Sequence, residues 1–362
     1  MTTNGHLPHA CSIWRAICGR SATEEAMPPL LEPIAQLSRL RGTLRSRKRV
    51  IFAEGHDLRV LRAIQCIIEE QSAIPIVVGH EKDIHKRIAE ANIGLRAGHD
   101  LEVVEPSDEF EFSDQWLAYS SAQQWKWRIP NLPLFIRDSR NTASAARIVD
   151  GSRADCVICG ASGEFSWHFI QLKEILASLQ RRTAGTLHVL SAGERLLCLS
   201  DVVIESVANP SQLAEIAVAA AQYVSAIGAR PRIALCLDRC GKDILSLGDK
   251  LHAAAQIVKT MAADVDVDGP VALRDAIGAI GGSGRAQRTS TRYNVLVFSR
   301  TGIAATVRDV LRSNSDWSEV GPFLLGAANR AHIVTPEISS EALVDMASFA
   351  GRCLDEFNSS VG

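Results

Sequence analysis

From Val50 onward the apolar positions fall into an alternating rhythm. The run VIFA (50–53) is continuously apolar; the next stretch, HDLRVLRAIQCIIEEQ (56–71), sets Leu58, Leu61, Ile64, Ile67 and Ile68 on one helical face; and IPIVVG (74–79) is apolar again. Unbroken apolar runs joined by an amphipathic helix predict parallel strands covered on both faces. Asp57 is placed to cap the first helix, and Gly55 to let the chain turn tightly at the carboxyl end of a strand, the edge where open α/β sheets place their ligands. A second helix over EKDIHKRIAEAN (81–92) and a strand at LEVVEP (101–106) continue the alternation. The device returns at ADCVICGASGE (154–164), an apolar run ending in a Gly-Ala-Ser-Gly turn, followed by the amphipathic FSWHFIQLKEILASLQ (165–180).

Beyond residue 180 the pattern predicts strands at GTLHVLS (185–191) and RLLCLSDVVI (195–204), then a helix over 209–228 with Ser211 as N-cap and Gly228 at its end. RIALCL (232–237) reads as a buried strand, 248–263 as a long helix, and GGSGRAQRTSTR (281–292) as a cationic loop. Two strand-like runs, YNVLVFS (293–299) and GPFLLGAA (321–328), precede AHIVTPEISSEALVDMASFAG (331–351), which supplies a further apolar run and a closing helix. Upstream of the rhythm, residues 1–27 lack a period, and 28–49 predict an entry helix carrying Leu30, Leu31, Ile34, Leu37 and Leu40.

Composition narrows the class. With 362 residues and 46% hydrophobic content the chain buries a sizeable core, and 39 basic against 41 acidic residues give a net charge of −2, which argues against a nucleic-acid binder. Nine cysteines, most in apolar runs, predict reduced thiols; no run reaches membrane-spanning length and no secretory leader is legible, so the expected location is the cytoplasm, with no membrane partner. A four-thiolate zinc site from Cys156, Cys159, Cys236 and Cys240 is weighed against core packing, and core packing is favoured because both pairs lie at strand ends. His56, His168, His188 and His332 stand singly and read as surface or satisfied core residues. Walker, nucleophile-elbow and His-Glu-x-x-His motifs are absent.

The opening block resembles the phosphate acetyltransferase and butyryltransferase family in an Arg-x-x-Phe-Ala-Glu-Gly-x-Asp-x-Arg-Val-Leu-x-Ala pattern carried by Arg49, Phe52, Ala53, Glu54, Gly55, Asp57, Arg59, Val60, Leu61 and Ala63. The likeness extends to about residue 352 and is nearest to the version of this domain at the C-terminal end of bacterial NADP-dependent malic enzymes. It implies a two-domain α/β fold of mostly parallel sheets flanked by helices, with an acyl-CoA cleft between domains. The divisions expected are an arm over 1–47, a first domain of 48–180 plus 330–362, and a second of 181–329. It also implies CoA or acetyl-CoA as substrate or ligand with no resident cofactor or metal, inorganic phosphate as co-substrate, a homodimer or higher assembly, and a malic enzyme as an expected partner. The malate-oxidising parts of that architecture are not legible here, so malate oxidation by this chain alone is not expected.

Chemistry implied by the resemblance is acyl transfer between CoA and phosphate, in which cations hold phosphate, a carboxylate helps activate the thiol and a hydroxyl or amide stabilises the oxyanion. The family's Ser-Arg pair and the Asp seven residues after the Ser fall on Thr335, Pro336 and Ala342, so the hydroxyl survives and the guanidinium and carboxylate do not. The Ser-x-Ser element is replaced by Leu237, Asp238, Arg239, Cys240 and Gly241, and a phosphate-facing Arg by Ile170, with Lys173 one turn on. Candidate site residues are therefore Thr335 as hydroxyl donor, with Arg300, Lys173 and Arg285 for phosphate, and Arg288 and Arg292 as further cations. Two functions are compatible: a phosphate acyltransferase with an eroded site, or a non-catalytic acyl-CoA-sensing or assembly module.

Overall fold

The computed structural model describes residues 47–107, 132–192, 195–203, 208–237, 244–277, 293–314 and 317–359. The first rhythm becomes β1 (Arg49–Phe52), α1 (Leu58–Glu70), β2 (Ile74–Val78), α2 (Glu81–Glu90) and β3 (Glu102–Val104). Then come α3 (Leu132–Asp150), β4 (Cys156–Cys159), α4 (Phe165–Ile175) and the short α5 (Ala177–Arg181). With β11 (Ala331–Ile333) these strands form a five-stranded, all-parallel sheet in the order β11-β4-β1-β2-β3. Successive residues of one strand serve opposite faces: Val50 and Phe52 pack with Ile64 of α1 and Ile84 of α2, whereas Ile51 and Ala53 pack with Ala145 and Val149 of α3 and Leu172 of α4. Two covered faces require every position to be apolar, which is the physical origin of the unbroken runs.

A second, six-stranded sheet gathers β5 (Gly185–Ala192), β6 (Arg195–Val202), β7 (Arg232–Leu237), β8 (Asp266–Ala272), β9 (Val295–Val297) and β10 (Ser318–Leu325) in the order β10-β5-β6-β9-β7-β8. Its β5–β6 and β10–β5 pairs are antiparallel and the others parallel. Around it lie α6 (Pro210–Ala226), α7 (Ile244–Met261), α8 (Leu273–Ile277) and α9 (Ile303–Asn314); the chain then regains the first sheet through β11 and closes with α10 (Ser340–Ser359).

One continuous hydrophobic core runs under both sheets. At the seam, Phe323 of β10, Tyr223 of α6 and Phe349 of α10 stack, with Phe323 and Phe349 centroids 4.4 Å apart, and the imidazole of His332 on β11 stands edge-on to Phe323 at 5.2 Å. His332 is fully buried and accepts the Leu324 N–H at Nδ1; burial pushes its pKa down to about 3, so it is held as a neutral aromatic filler.

Several elements differ from the reading of the sequence. Helix α3 escapes the apolar-period rule because its inward face carries Asp138, Ser139, Asn141, Thr142 and Ser144, all buried. Strand β8 and helices α8 and α9 were also not legible. The stretch read as one helix over 165–180 breaks at Leu176, which is extended, giving α4 and α5. Helix α6 is capped by Asn209, not Ser211: Asn209 accepts the Gln212 N–H while Gln212 reaches back to the Asn209 N–H, and Pro210 at the first helical position has no N–H to satisfy. Of the predicted entry helix, Arg49 opens β1, and residues 28–46 lie outside the described ones. Cys156 and Cys159 point to opposite faces of β4, one against Ala350 and the other into the core beneath α3 and α4, a placement that keeps the two thiols from sharing a metal. Among the described residues no helix is long and apolar enough to cross a membrane.

Candidate functional site at the carboxyl edge of the parallel sheet

The loops leaving β1, β4 and β11 meet at one edge because the first sheet is wholly parallel and its strand order sets these three side by side. Backbone hydrogen bonds carry the ladder past the strands: Gly55 N–H donates to the Val78 carbonyl at 3.0 Å, and Val334 N–H to the Cys159 carbonyl at 2.7 Å. Two glycines make this approach feasible. A Cβ on Gly55 would lie 2.6 Å from Val77 Cγ2 and 2.7 Å from the Val78 oxygen, and one on Gly160, whose φ is +97°, would lie 2.5 Å from the Val334 oxygen.

Glu54, the acid of the opening motif, turns inward. It is 1% exposed, its Oε1 accepts the Gly160 N–H at 2.8 Å, and burial raises its pKa to about 8, with Asp138 and Asp57 adding to the rise, so the group is protonated at neutral pH. His168 of α4 lies beside it, Nδ1 at 3.8 Å from Oε1. Thr142 Oγ1 sits 2.8 Å from that Nδ1 and the Ser162 carbonyl 2.7 Å from Nε2, which assigns a neutral ring donating from Nε2 and accepting at Nδ1; burial lowers its pKa accordingly. Ser162 Oγ donates to Asp138 Oδ2 at 2.8 Å, and Asp138 Oδ1 takes Arg137 Nε at 2.9 Å. Thus α3 and the 160–163 turn are locked by a buried polar network.

Arg59 ties the three loops together. Its guanidinium donates to Asp57 Oδ2 at 2.7 Å, to the Ala161 carbonyl at 2.6 Å, to the Ile338 carbonyl at 3.2 Å and to the Pro336 carbonyl. Burial alone would raise the Asp57 carboxyl, yet the bonds from Arg59 hold it below its ordinary value. Asp57 caps α1 by accepting the Arg59 N–H at 2.8 Å, as its place before the helix predicts.

Thr335 stands on the β11–α10 loop within this frame, half-buried, its hydroxyl without a partner among the described residues; Pro336 and Glu337 beside it are exposed. Lys173 occupies the last turn of α4, exposed, with its ammonium 6.0 Å from the centroid of the Phe169 ring. Since α4 starts at the carboxyl edge and runs back along the sheet, eight residues at 1.5 Å each set Lys173 about 12 Å below that edge. Arg300 follows β9 on the second sheet and is half-buried; no hydrogen bond or ion pair among the described residues joins it to Thr335. Arg285, with Arg288, Arg292 and the stretch Asp238–Gly241, lies outside the described residues. Ile170 is half-buried on α4. Arg137, Asp138 and Thr142 were missed altogether; the sequence signals them only by an adjacent Arg-Asp pair in a polar segment.

Two surface hollows of about 540 and 400 Å³ open on the opposite side of the same sheet, at the starts of β2 and β3, where Arg96 pairs with Asp100.

The family model described as "Phosphate acetyl/butaryl transferase" matches residues 30–350. The chain belongs to that family. An NAD-dependent malic enzyme of Rhizobium meliloti (strain 1021) is 31% identical over 313 residues, 84% of this chain and 40% of that protein. A phosphate acetyltransferase of Escherichia coli (strain K12) is 21% identical over 90% of this chain and 45% of its own length. The chain thus spans less than half the length of these curated relatives. Among solved structures, a phosphotransacetylase from Streptococcus pyogenes superposes with a TM-score of 0.68 at 19% identity, covering 89% of this chain and 99% of that one. The EutD phosphotransacetylase from Staphylococcus aureus gives 0.66 at 17%, covering 88% and 98%. The phosphate acyltransferase fold, inferred above from the opening motif, is therefore the fold of this chain.

Proposed function

We propose that this chain is a phosphate acetyltransferase-like protein that holds an acyl-CoA at the carboxyl edge of its parallel sheet and transfers the acyl group to phosphate slowly or not at all. Family membership supports the ligand class. The observation that carries the slow rate is the state of the β11–α10 loop and the first turn of α10: Pro336 and Ala342 stand where the resemblance calls for a guanidinium and a carboxylate, and the nearby Arg59 spends its donors on Asp57 and three backbone carbonyls. For acetyl-CoA and phosphate to exchange into acetyl phosphate and CoA, the thioester C–S bond breaks as a phosphate oxygen adds to the carbonyl, so charge develops on the carbonyl oxygen and on sulfur. Removing one preorganised donor from such a transition state costs about 2.7–4 kcal/mol, or 10²–10³ in rate, and two losses leave a small fraction of an ordinary turnover. Thr335 supplies the remaining hydroxyl.

The similarity to malic enzymes over 84% of this chain favours a second reading, in which the same edge senses acyl-CoA or docks an assembly partner without chemistry. The decisive experiment follows thiol release from acetyl-CoA with phosphate, using wild-type protein, Thr335→Val and a protein-free blank, with acetyl-CoA binding measured on the same samples. Turnover that disappears in Thr335→Val establishes a working acyltransferase. Saturable binding without turnover establishes the sensing module, and neither binding nor turnover refutes both.

A further inference from the structure

The two hollows at the amino edge of the first sheet lie where the chain enters that sheet. The Lys48 carbonyl accepts the Ile74 N–H at 2.8 Å, and Ile74, at the start of β2, lines the hollow of about 400 Å³. Arg49 donates to Glu102 Oε2 at 2.6 Å, and Glu102 lines the same hollow. The larger hollow, about 540 Å³, adjoins it through Asp100, which lines both, and its lining includes the apolar Ile68, Ile93 and Leu95. Ile74 is 37% exposed, although every other residue of β2 is buried. The lining charges are mostly met within the fold: Arg96 pairs with Asp100, and Arg49 and Arg153 with Glu102. Glu69, on the rim of the larger hollow, receives only the Gln65 amide, at 2.9 Å, among the described residues.

We propose that the chain's own residues 31–41 occupy these hollows as a short amphipathic helix, strapped to the amino edge by the linker that runs into β1. Leu31, Ile34, Leu37 and Leu40 supply an apolar face, Pro33 suits a first helical turn, and Gly42 stands just past the last apolar position. A helix of that length is about 16 Å long and is marginal in water by itself, so it forms only where its apolar face is covered. The linker 42–46 spans up to about 17 Å when extended, which keeps the helix within reach of the rim where Lys48 and Arg49 are anchored. Ile74, Ile68, Ile93 and Leu95 offer the matching apolar lining. Arg39, Arg41 and Arg45 bring guanidinium groups for Glu69, continuing upstream the contact that Arg49 makes with Glu102. The family match begins at residue 30, which places this stretch in the same unit as the sheet. The seat lies on the edge opposite the proposed acyl-CoA site, so it is read without any acyl ligand.

Amide hydrogen exchange of the full chain, followed by mass spectrometry, tests the seat. In wild type the amides of 31–41 are expected to exchange at least about tenfold more slowly than an unstructured peptide of the same sequence. Leu37→Asp sets a charge against the apolar lining and should abolish that protection while speeding exchange of the 93–101 loop several-fold, with β1 and β4 unchanged. Ile74→Ser and Glu69→Lys alter the other side of the contact, and loss of protection over 31–41 in either supports the seat. Glu69 is exposed, so its variant remains readable should Ile74→Ser fail to fold. Leu245→Asp, an exposed change on α7, should leave the exchange of 31–41 unaltered. Unprotected amides over 31–41 in wild type overturn the proposal, as does protection that survives both Ile74→Ser and Glu69→Lys. Protection that grows with protein concentration also overturns it, because the hollows would then be filled by the same segment of a second copy.

Discussion

Glu54 offers the sharpest test of the electrostatics at the carboxyl edge. Its pKa rises from 4.5 to about 8 because a fully buried carboxylate loses its hydration, and the backbone N–H groups of Gly160 and Ala161, which favour the anion, do not offset that loss. The folded chain therefore binds this proton more tightly than the unfolded chain does. Its contribution to stability is complete below pH 4.5 and drains as pH rises toward 8, at about 1.4 kcal/mol per pH unit. Over the 2.5 units between pH 4.5 and 7 the loss amounts to about 3 kcal/mol. Glu54→Gln keeps the shape, retains a carbonyl oxygen for the Gly160 N–H and carries no titrating proton. The stability of Glu54→Gln relative to wild type should thus improve by about 3 kcal/mol between pH 4.5 and pH 7 and level off above pH 8. Urea unfolding of both proteins over that range measures the difference directly, since every other titrating group cancels between them. A difference flat with pH would show that Glu54 is already ionised in the fold, and the neutral network with His168 would have to be abandoned.

Two further outcomes follow from the same geometry. Arg59→Met, which removes the donors to Ala161, Pro336 and Ile338, should cost about 2 kcal/mol, allowing for its partial exposure, and should speed amide exchange at Ile338; an unchanged melt with unchanged exchange would refute the clasp. Gly55→Ala should destabilise by about 1–3 kcal/mol, because its Cβ meets Val77 and the Val78 oxygen. By contrast, Gly248→Ala on α7, with nothing nearer than 3.9 Å, should stabilise by about 0.5–1 kcal/mol; equal melting temperatures for the two variants would contradict this account.

The sequence by itself determined the alternation of strands and helices from β1 to β3, since an apolar run must be buried on both faces and a helix of matching length must return the chain for the next parallel strand. It also determined the turn at Gly55 and the cap at Asp57, because those depend on residues a few positions apart. What it left undecided was anything written in polar residues that become buried. Helix α3 has no legible apolar period because Asp138 and Thr142, with other polar residues, face inward, and Ser162, Arg137 and His168, from elsewhere in the chain or beside them, satisfy the hydrogen bonds of these two. The same limit applied to the site. Lys173 looks one turn from a phosphate position along the sequence, yet the direction of α4 carries it away from the edge, while Arg59 and the carbonyls of Ala161 and Ile338, 102 and 279 positions on, are brought together. Short-range pattern fixes local structure; only the tertiary fold decides which charges remain neutralised by the protein and which are left facing a ligand, because that balance depends on burial and on partners distant in the chain.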